Sequence, residues 1–237
     1  MAAFIILILV LRHKHEKLKL QQRSDELKMQ ALRAQMNPHF IFNCLSAINH
    51  FILQGETDAA SDYLTRFSRL IRLVLVNAEK NQISLEEELD MLKLYLEMEQ
   101  LRFKDAFDYH IRYDATIQPS MIQVPSFILQ PFCENAIWHG LLHNEGKGSL
   151  VIDLVMKADA MVCTITDNGI GMARAAAIRT KMPEKQGSFG LALTTERLAL
   201  FNNDTKASGS FLIEDVKDES GNVTGTKVIL SIKSKEV

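Results

Sequence analysis

Apolar residues repeat along this chain with two different periods, and the change of period divides it. Beyond Pro38, the residues Ile41, Leu45, Ile48 and Ile52 fall at helical spacing and form one stripe. Gly55 to Asp58 reads as a turn, and Leu64, Phe67, Ile71 and Val74 then mark a second amphipathic helix. Two striped helices joined by a short turn make an αα-hairpin. A lone hairpin buries little apolar surface, so pairing with a second copy into a four-helix bundle is its natural completion. Upstream, Leu20, Leu27, Ala34 and Ile41 recur seven apart, a weak coiled-coil seam leading into the hairpin. Ser84 followed by Glu87 has the form of a capping box, and Leu85, Leu89, Leu92 and Leu96 continue a third helix.

From Phe107 the period becomes two. Phe107, Tyr109, Ile111 and Tyr113 alternate with Asp108, His110, Arg112 and Asp114, the mark of a half-buried strand. Pro119 and Pro125 bracket a loop, and a helix is expected over about 126–142. Strands are expected at 149–156, 161–167, 208–214 and 226–232, with a loop rich in glycine and charge over 168–190 and a helix after it. Helices and strands mix without a regular βα alternation, so the fold class is α+β.

Composition changes this picture little. The 237 residues are 47% hydrophobic and 24% charged, as in an ordinary soluble globular protein, and suffice for one medium domain plus a helical unit. A formal net charge of −2 gives no support for direct nucleic-acid binding. Cys44, Cys133 and Cys163 are far apart and each sits among apolar residues, so they read as reduced core residues of a cytosolic protein. Residues 2–11 are continuously apolar and RHKHEKLK follows at once. That run is too short to cross a bilayer alone, which takes roughly 20 apolar residues. Basic residues just beyond an apolar stretch fit a cytoplasmic exit, so residues 1–11 are expected to be the inner half of a membrane-spanning helix. An interfacial anchor is the alternative.

Three clusters carry candidate chemistry. The first is Gln35-Met36-Asn37-Pro38-His39-Phe40-Ile41-Phe42-Asn43. Asn37 caps a helix restarted at Pro38, or Pro38 kinks a continuous one. In either case His39, Asn43, Ser46 and His50 form a polar stripe away from the apolar one, which leaves His39 exposed. A neutral imidazole nitrogen is a competent phosphoryl acceptor, although spacing alone reads more simply as a surface histidine. In the second cluster, Pro131 to Gly140, the polar Glu134, Asn135 and His139 interrupt an apolar helix. Buried polar groups need partners, so these face a cleft or are satisfied at the helix surface. A carboxylate and an amide oxygen are hard ligands suited to Mg²⁺. The third cluster, Thr166-Asp167-Asn168-Gly169-Ile170-Gly171-Met172, is a turn after an apolar strand whose glycines permit close backbone approach. Gly187-Ser188-Phe189-Gly190-Leu191 opens a further helix, whose N-terminal amides suit a phosphate. Neither glycine loop has the P-loop or dinucleotide spacing.

In this order, QMNPHFIFN, ISLEEELDMLKLYLEMEQLRF, PFCENAIWHG, DNGIGM, SFGLALTTERL and GTKVILSI resemble the LytS-type sensor histidine kinases with a GHKL-type ATP-binding domain. The resemblance runs from about Leu27 to the C-terminus. It implies a dimeric four-helix bundle followed by a GHKL-type α/β sandwich with a mixed sheet. In that arrangement residues 1–11 are a partial transmembrane helix, 12–30 a coiled-coil signalling linker, 31–82 the dimerisation and phosphotransfer hairpin, and 84–237 the catalytic domain. It implies His39 as phosphoacceptor, Asn135 of the N box as Mg²⁺ ligand and Glu134 as the candidate proton acceptor. Asp167 would accept from the adenine amino group, Gly169 and Gly171 would shape the base pocket, and Thr226 would close its side. His139 would be a pocket residue, residues 172–189 the lid, and Ser188, Gly190 and Leu191 would stand near the phosphates. The implied cofactors are ATP and Mg²⁺. The implied partners are a second copy of the chain, the membrane, and a response-regulator receiver domain, commonly of the LytTR type, at the cytoplasmic face of a bacterial cell membrane.

Two departures stand out. Ser188 occupies a position that many relatives give to glycine, which should alter lid packing while still allowing a hydrogen bond to phosphate. Phe40 follows His39 where other histidine kinases place an acidic proton acceptor. Two other functions compete: a GHKL ATPase, which has no need of the NPHFIFN helix, and a catalytically silent dimeric membrane scaffold, which has no need of Asn135, Asp167 and the glycines.

Overall fold

A computed structural model of the chain describes residues 38–77, 80–179, 187–202, 211–233 and 235–236. The expected membrane segment at 1–11, the linker at 12–30 and the beginning of the hairpin at 31–37 lie outside these residues. In chain order the elements are α1 (Pro38–Leu53), α2 (Thr57–Asn77), β1 (Gln82–Ser84), α3 (Leu85–Arg102), β2 (Phe107–Tyr113), β3 (Ile122–Pro125) and α4 (Gln130–Asn135). Then follow β4 (Gly148–Lys157), β5 (Ala160–Asp167), α5 (Gly171–Arg179), α6 (Gly187–Asn202), β6 (Phe211–Lys217), β7 (Val223–Lys233) and β8 (Lys235–Glu236). The chain divides inside α1 into two compact units, one ending at Ser46 and the other beginning at Ala47. No helix among the described residues is long and apolar enough to cross a membrane.

In the second unit the end of α1 turns into α2 through Gly55, whose φ of 75° is one that glycine adopts without strain. The Phe51 and Tyr63 rings meet across this turn, 5.8 Å between centroids. On α2 the buried face runs through Ala60, Tyr63, Leu70, Val74 and Asn77, whereas Leu64 is exposed and Phe67 and Ile71 are half-buried. On α1, Cys44, Ala47 and Phe51 are buried, and Leu45 and Ile52 of the expected stripe are exposed. Each helix carries more apolar positions than one chain covers, so the regularly spaced stripe and the buried face coincide only in part, at Val74.

The expected capping box forms in full: Glu87 N–H donates to Ser84 Oγ at 3.2 Å, and Ser84 N–H donates to Glu87 Oε2 at 3.0 Å. Helix α3 is buried on nearly all sides, through Leu85, Leu89, Leu92 and Leu96 but also through Glu88, Tyr95 and Glu99. Beyond it lies a five-stranded sheet of order β2-β4-β5-β7-β6. The β2–β4 pair is parallel and the other pairs antiparallel, so the sheet is mixed and the fold α+β, as the sequence leads one to expect. Leu150, Ile152 and Leu154 on β4, Met161, Cys163 and Ile165 on β5, and Val228, Leu230 and Ile232 on β7 form the inner face. The alternate residues are half-buried, as the period of two requires. All three cysteines are free and buried.

Three local expectations are corrected. Residues 119–125 are not wholly loop, because β3 pairs with β1 and β8 in a small second sheet. The helix expected from 126 begins at Gln130, after a bend in which Phe127 has φ 58°. The expected 168–190 loop contains α5, and α6 begins at Gly187.

Candidate functional site

The period of two along β5 sets Asp167 in the same inward row as Met161, Cys163 and Ile165, at the strand's end. Its carboxylate is therefore buried, 6% exposed, where the apolar row opens into a turn. Oδ1 accepts from Gly169 N–H at 2.8 Å and from Thr226 N–H at 3.2 Å. Oδ2 accepts from no described residue. Burial raises the carboxyl to about 6, against the pull of these two donors, and the charge of Asp215 adds to the rise. Thr226, expected beside the base, thus contributes its backbone N–H to Asp167, directly across the β5–β7 ladder.

Glycines bring three backbones around this carboxylate. A Cβ on Gly225 would stand 1.8 Å from Asp167 O, and one on Gly169 would stand 2.5 Å from Gly140 C. The room at Gly169 is thus taken up by the backbone of Gly140, which packs against the turn. Gly171 has φ 77° and faces Val223, and Met172 N–H donates to Asp215 Oδ1 at 2.8 Å. Asn168 pins the neighbouring loop: its Oδ1 accepts from Ser149 N–H at 2.7 Å and its Nδ2 donates to Lys147 O at 3.2 Å.

Gly140 reaches Asp167 because the second cluster is not a uniform helix. After α4, residues Ala136–Gly140 form a π turn and Leu141–His143 a 3₁₀ turn. Such wide turns recur at functional sites. Within this segment Asn135 and His139 are half-buried, and Asn135 Nδ2 donates to Pro131 O at 2.6 Å. That bond commits the amide nitrogen and leaves the carbonyl oxygen of Asn135 without a hydrogen-bond donor among the described residues. Glu134 and Trp138, one turn apart, look toward α3, where the charge of Glu134 helps raise both Tyr95 and Glu99. The other expected positions, Ser188, Gly190 and Leu191, lie in the first residues of α6, at that helix's N-terminal end. His39 belongs to α1, in the first compact unit, and lies one residue into the helix, which begins at Pro38.

Sequence reasoning misses two buried acidic residues on α3. Glu88, in the first turn, accepts from Phe127 N–H at 2.8 Å and Leu129 N–H at 2.9 Å, capping the entry to α4 from outside. Burial raises its carboxyl to about 7 against those donors and the charge of Arg197. Glu99, three turns on, is fully buried beside Arg102, whose guanidinium lies over the Phe103 and Trp138 rings at 4.8 and 4.7 Å. Burial also raises Glu99 to about 7, and its Oε2 has no hydrogen-bond partner among the described residues. A helical pattern that reads as three glutamates in a row, Glu86-Glu87-Glu88, gives no sign that the third points inward.

Among known proteins, residues 27–107 match the family model for histidine kinases. The sensor protein LytS of Staphylococcus epidermidis is 33% identical over 151 residues, 64% of this chain and 25% of that protein. The sensor histidine kinase YpdA of Escherichia coli is 30% identical over 183 residues, 77% of this chain and 32% of that protein. The chain therefore spans between a quarter and a third of the length of these curated relatives. Among solved structures, the catalytic domain of histidine kinase ThkA matches with 14% identity and a TM-score of 0.43, over 66% of this chain and 97% of that one.

Proposed function

The chain is related by sequence to the LytS-type sensor histidine kinases, and from that premise we propose that it binds ATP at Asp167 and phosphorylates its own His39. The observation that carries this reading is the Asp167 carboxylate: one oxygen is held by two backbone donors, and the other is engaged by no described residue. Set beside the backbone of Gly140, it is a fixed acceptor for an exocyclic amino group such as that of adenine. The backbone amides at the start of α6 suit the phosphates, with Ser188, Gly190 and Leu191 on the first turn.

The residues present also fit Mg²⁺, because the bond from Asn135 Nδ2 to Pro131 leaves a hard carbonyl oxygen as the donor. Bound there, the ion would neutralise phosphate charge. The chain's own part is to hold the base at Asp167, orient the phosphates at α6 and present the imidazole of His39 for in-line attack. A nitrogen–phosphorus bond forms at His39 as the bond from phosphorus to the ADP oxygen breaks, and the imidazole proton leaves to a base. Glu134 is the proposed acceptor of that proton. His139 would line the pocket, with Gly169 and Gly171 shaping its floor.

The phosphoryl group would then pass to an aspartate of a response-regulator receiver domain, possessed by LytTR-type regulators among others. Docking of that domain falls to the polar face at Asn43, Ser46 and His50, where Ser46 and His50 are exposed. The active protein would be a homodimer at the cytoplasmic face of the cell membrane, attached through residues 1–11.

The test is transfer of γ-labelled phosphate from Mg-ATP to the full chain, compared with His39→Gln and Glu134→Gln. Acid-labile label that disappears in His39→Gln is expected, with a strong loss in Glu134→Gln at unchanged ATP binding. ATP binding without label in the wild type would replace the kinase with the silent scaffold, and steady phosphate release without label would replace it with an ATPase.

A further inference from the structure

Beyond the end of β5 the sheet continues as an arm of two strands. β5 ends at Asp167, opposite Thr226 of β7, and Thr226 in turn stands opposite Asp215 of β6. Past this row Gly225 pairs with Val216 and Val223 with Lys217, and a register shift falls between Val216 and Lys217. Such irregularities re-aim a strand and recur beside functional sites. The tip of the arm is closed on itself. Asp218 N–H donates to Asn222 O at 2.9 Å, and Asp218 Oδ1 accepts from the N–H groups of Ser220 and Asn222 at 2.9 and 2.8 Å.

The chain leaving β5 turns and starts α5 against this arm. Asp215 Oδ1 accepts from Met172 N–H at 2.8 Å. A Cβ on Gly171 would stand 2.3 Å from Val223 Cγ1 and 3.1 Å from Asp215 Oδ1, so the start of the helix meets both strands of the arm. The turn is thus held at both ends by carboxylates that flank Thr226 in the sheet: Asp167 takes the N–H of Gly169, and Asp215 takes that of Met172. Little in α5 itself fixes its start. The residue before it, Ile170, has no side-chain oxygen for the orphan N–H groups of a first turn, and that turn contains no acidic residue. From Met172 to Ile178 no residue is buried, and only Ala175 and Ile178 are half-buried. A helix of nine residues without a buried face is marginal by itself. Asp215 supplies from β6 both the acceptor and the acidic group that the helix lacks.

We propose that Asp215 is a positioning residue of the base site: by capping α5 from β6 it holds the turn from Asp167 to Met172, and with it Gly169 and Gly171, in the conformation that receives the nucleotide base. The inference deepens the ATP-binding reading of Asp167 and rests on it, but not on transfer to His39. Without the cap, the turn of the free chain spreads over several conformations, and the measured affinity falls with the fraction that remains competent.

The test measures Mg-ATP and ADP binding to the full chain by calorimetry, for the wild type, Asp215→Ala and Asp215→Asn. Hydrogen exchange of the Met172 amide is followed beside it in the nucleotide-free chain. Asp215→Ala removes the acceptor, and loss of a helix N-cap of ordinary strength corresponds to a fall of about five-fold in affinity. The fall is expected to be equal for Mg-ATP and ADP, because it arises at the base, and to come with faster exchange of the Met172 amide. Asp215→Asn keeps a side-chain oxygen at the same place and is expected to restore both the affinity and the slow exchange. A merely structural role would lower the melting temperature and leave the affinity of the folded chain unchanged, which overturns the proposal. A loss confined to Mg-ATP also overturns it, by moving the effect to the phosphates. An equal loss in Asp215→Asn overturns it too, by assigning the effect to charge rather than to the cap. If Asp215→Ala does not fold, Asp215→Thr takes its place: threonine suits a strand, but its oxygen lies one bond nearer the backbone. There a loss of about three-fold or more supports the cap, and wild-type affinity overturns it. Wild-type chain that binds neither nucleotide removes the reading of Asp167 together with this one, whereas wild-type binding matched by Asp215→Ala removes this one alone.

Discussion

Asp167 combines two properties that pull against each other. It is buried at the end of an apolar row, and in the proposed role it is ionised to accept from a base. The two backbone N–H donors at Gly169 and Thr226 hold the ionised form against desolvation, and the carboxyl settles at about 6. Nucleotide affinity is therefore expected to be full at pH 8 and to fall as the pH drops below about 6, where the carboxyl becomes protonated. Asp167→Asn keeps the volume but puts either an amide nitrogen or a single carbonyl oxygen where two acceptors stood. A hydrogen bond to a charged group is worth about 1.5–3 kcal/mol, so a loss of about ten- to a hundred-fold in ATP affinity is expected. It should be nearly independent of pH in the variant. Equal affinity in wild type and variant at pH 8 would remove Asp167 from the base site. The glycines around it are constrained by the protein as much as by any ligand: Gly225 has no room for a Cβ because Asp167 O is there, and Gly169 has none because Gly140 is there.

The elements divide by how local their causes are. The strands β4, β5 and β7 were readable because alternation is written into each strand, and the Ser84–Glu87 box because both halves lie within four residues. Strands β1, β3 and β8 are two to four residues long and exist only through pairing with one another, for which no local pattern exists. The start of α4 is hidden for a similar reason: the N–H groups of Phe127 and Leu129, in the bend just before it, are satisfied by Glu88, some forty residues earlier in the chain. The hairpin is the instructive case. Its regular apolar stripe is legible, but a sequence does not say which of two apolar faces a helix buries within its own chain. Ile52 is 58% exposed and Leu64 is 47% exposed, so the apolar surface left over fits a second hairpin better than water. Ile52→Glu combined with Leu64→Glu should cost little melting temperature, yet convert a dimer into a monomer in sedimentation. A double variant that still sediments as a dimer would place the contact elsewhere, and a wild-type monomer at micromolar concentration would remove the dimer altogether.

Three buried carboxyls are distributed over the second compact unit: Asp167 at the end of β5, Glu88 at the entry to α4 and Glu99 beside Arg102. All three are raised by burial, to about 6, about 7 and about 7. In the unfolded chain such groups titrate near 4, so between pH 4 and pH 7 the folded protein binds more protons than the unfolded one. The sign follows directly: this contribution to stability is fully present below the unfolded values and is lost as pH rises through the folded ones. Each group tilts the stability curve by up to about 1.4 kcal/mol per pH unit within its window. The melting temperature is therefore expected to fall by several degrees from pH 5 to pH 7.5, opposite in sense to a protein whose carboxylates are stabilised by surface pairs. Glu99 is the group with which to isolate the effect, because its Oε2 has no hydrogen-bond partner among the described residues and its guanidinium neighbour Arg102 is already held by two rings. Glu99→Gln should flatten the slope while leaving the ATP affinity set by Asp167 and α6 nearly unchanged. A melting temperature that rises from pH 5 to pH 7.5 in the wild type would mean that all three groups are ionised in the folded state. The cost of their burial would then be met by Arg197, Arg102 and the backbone donors rather than by protons.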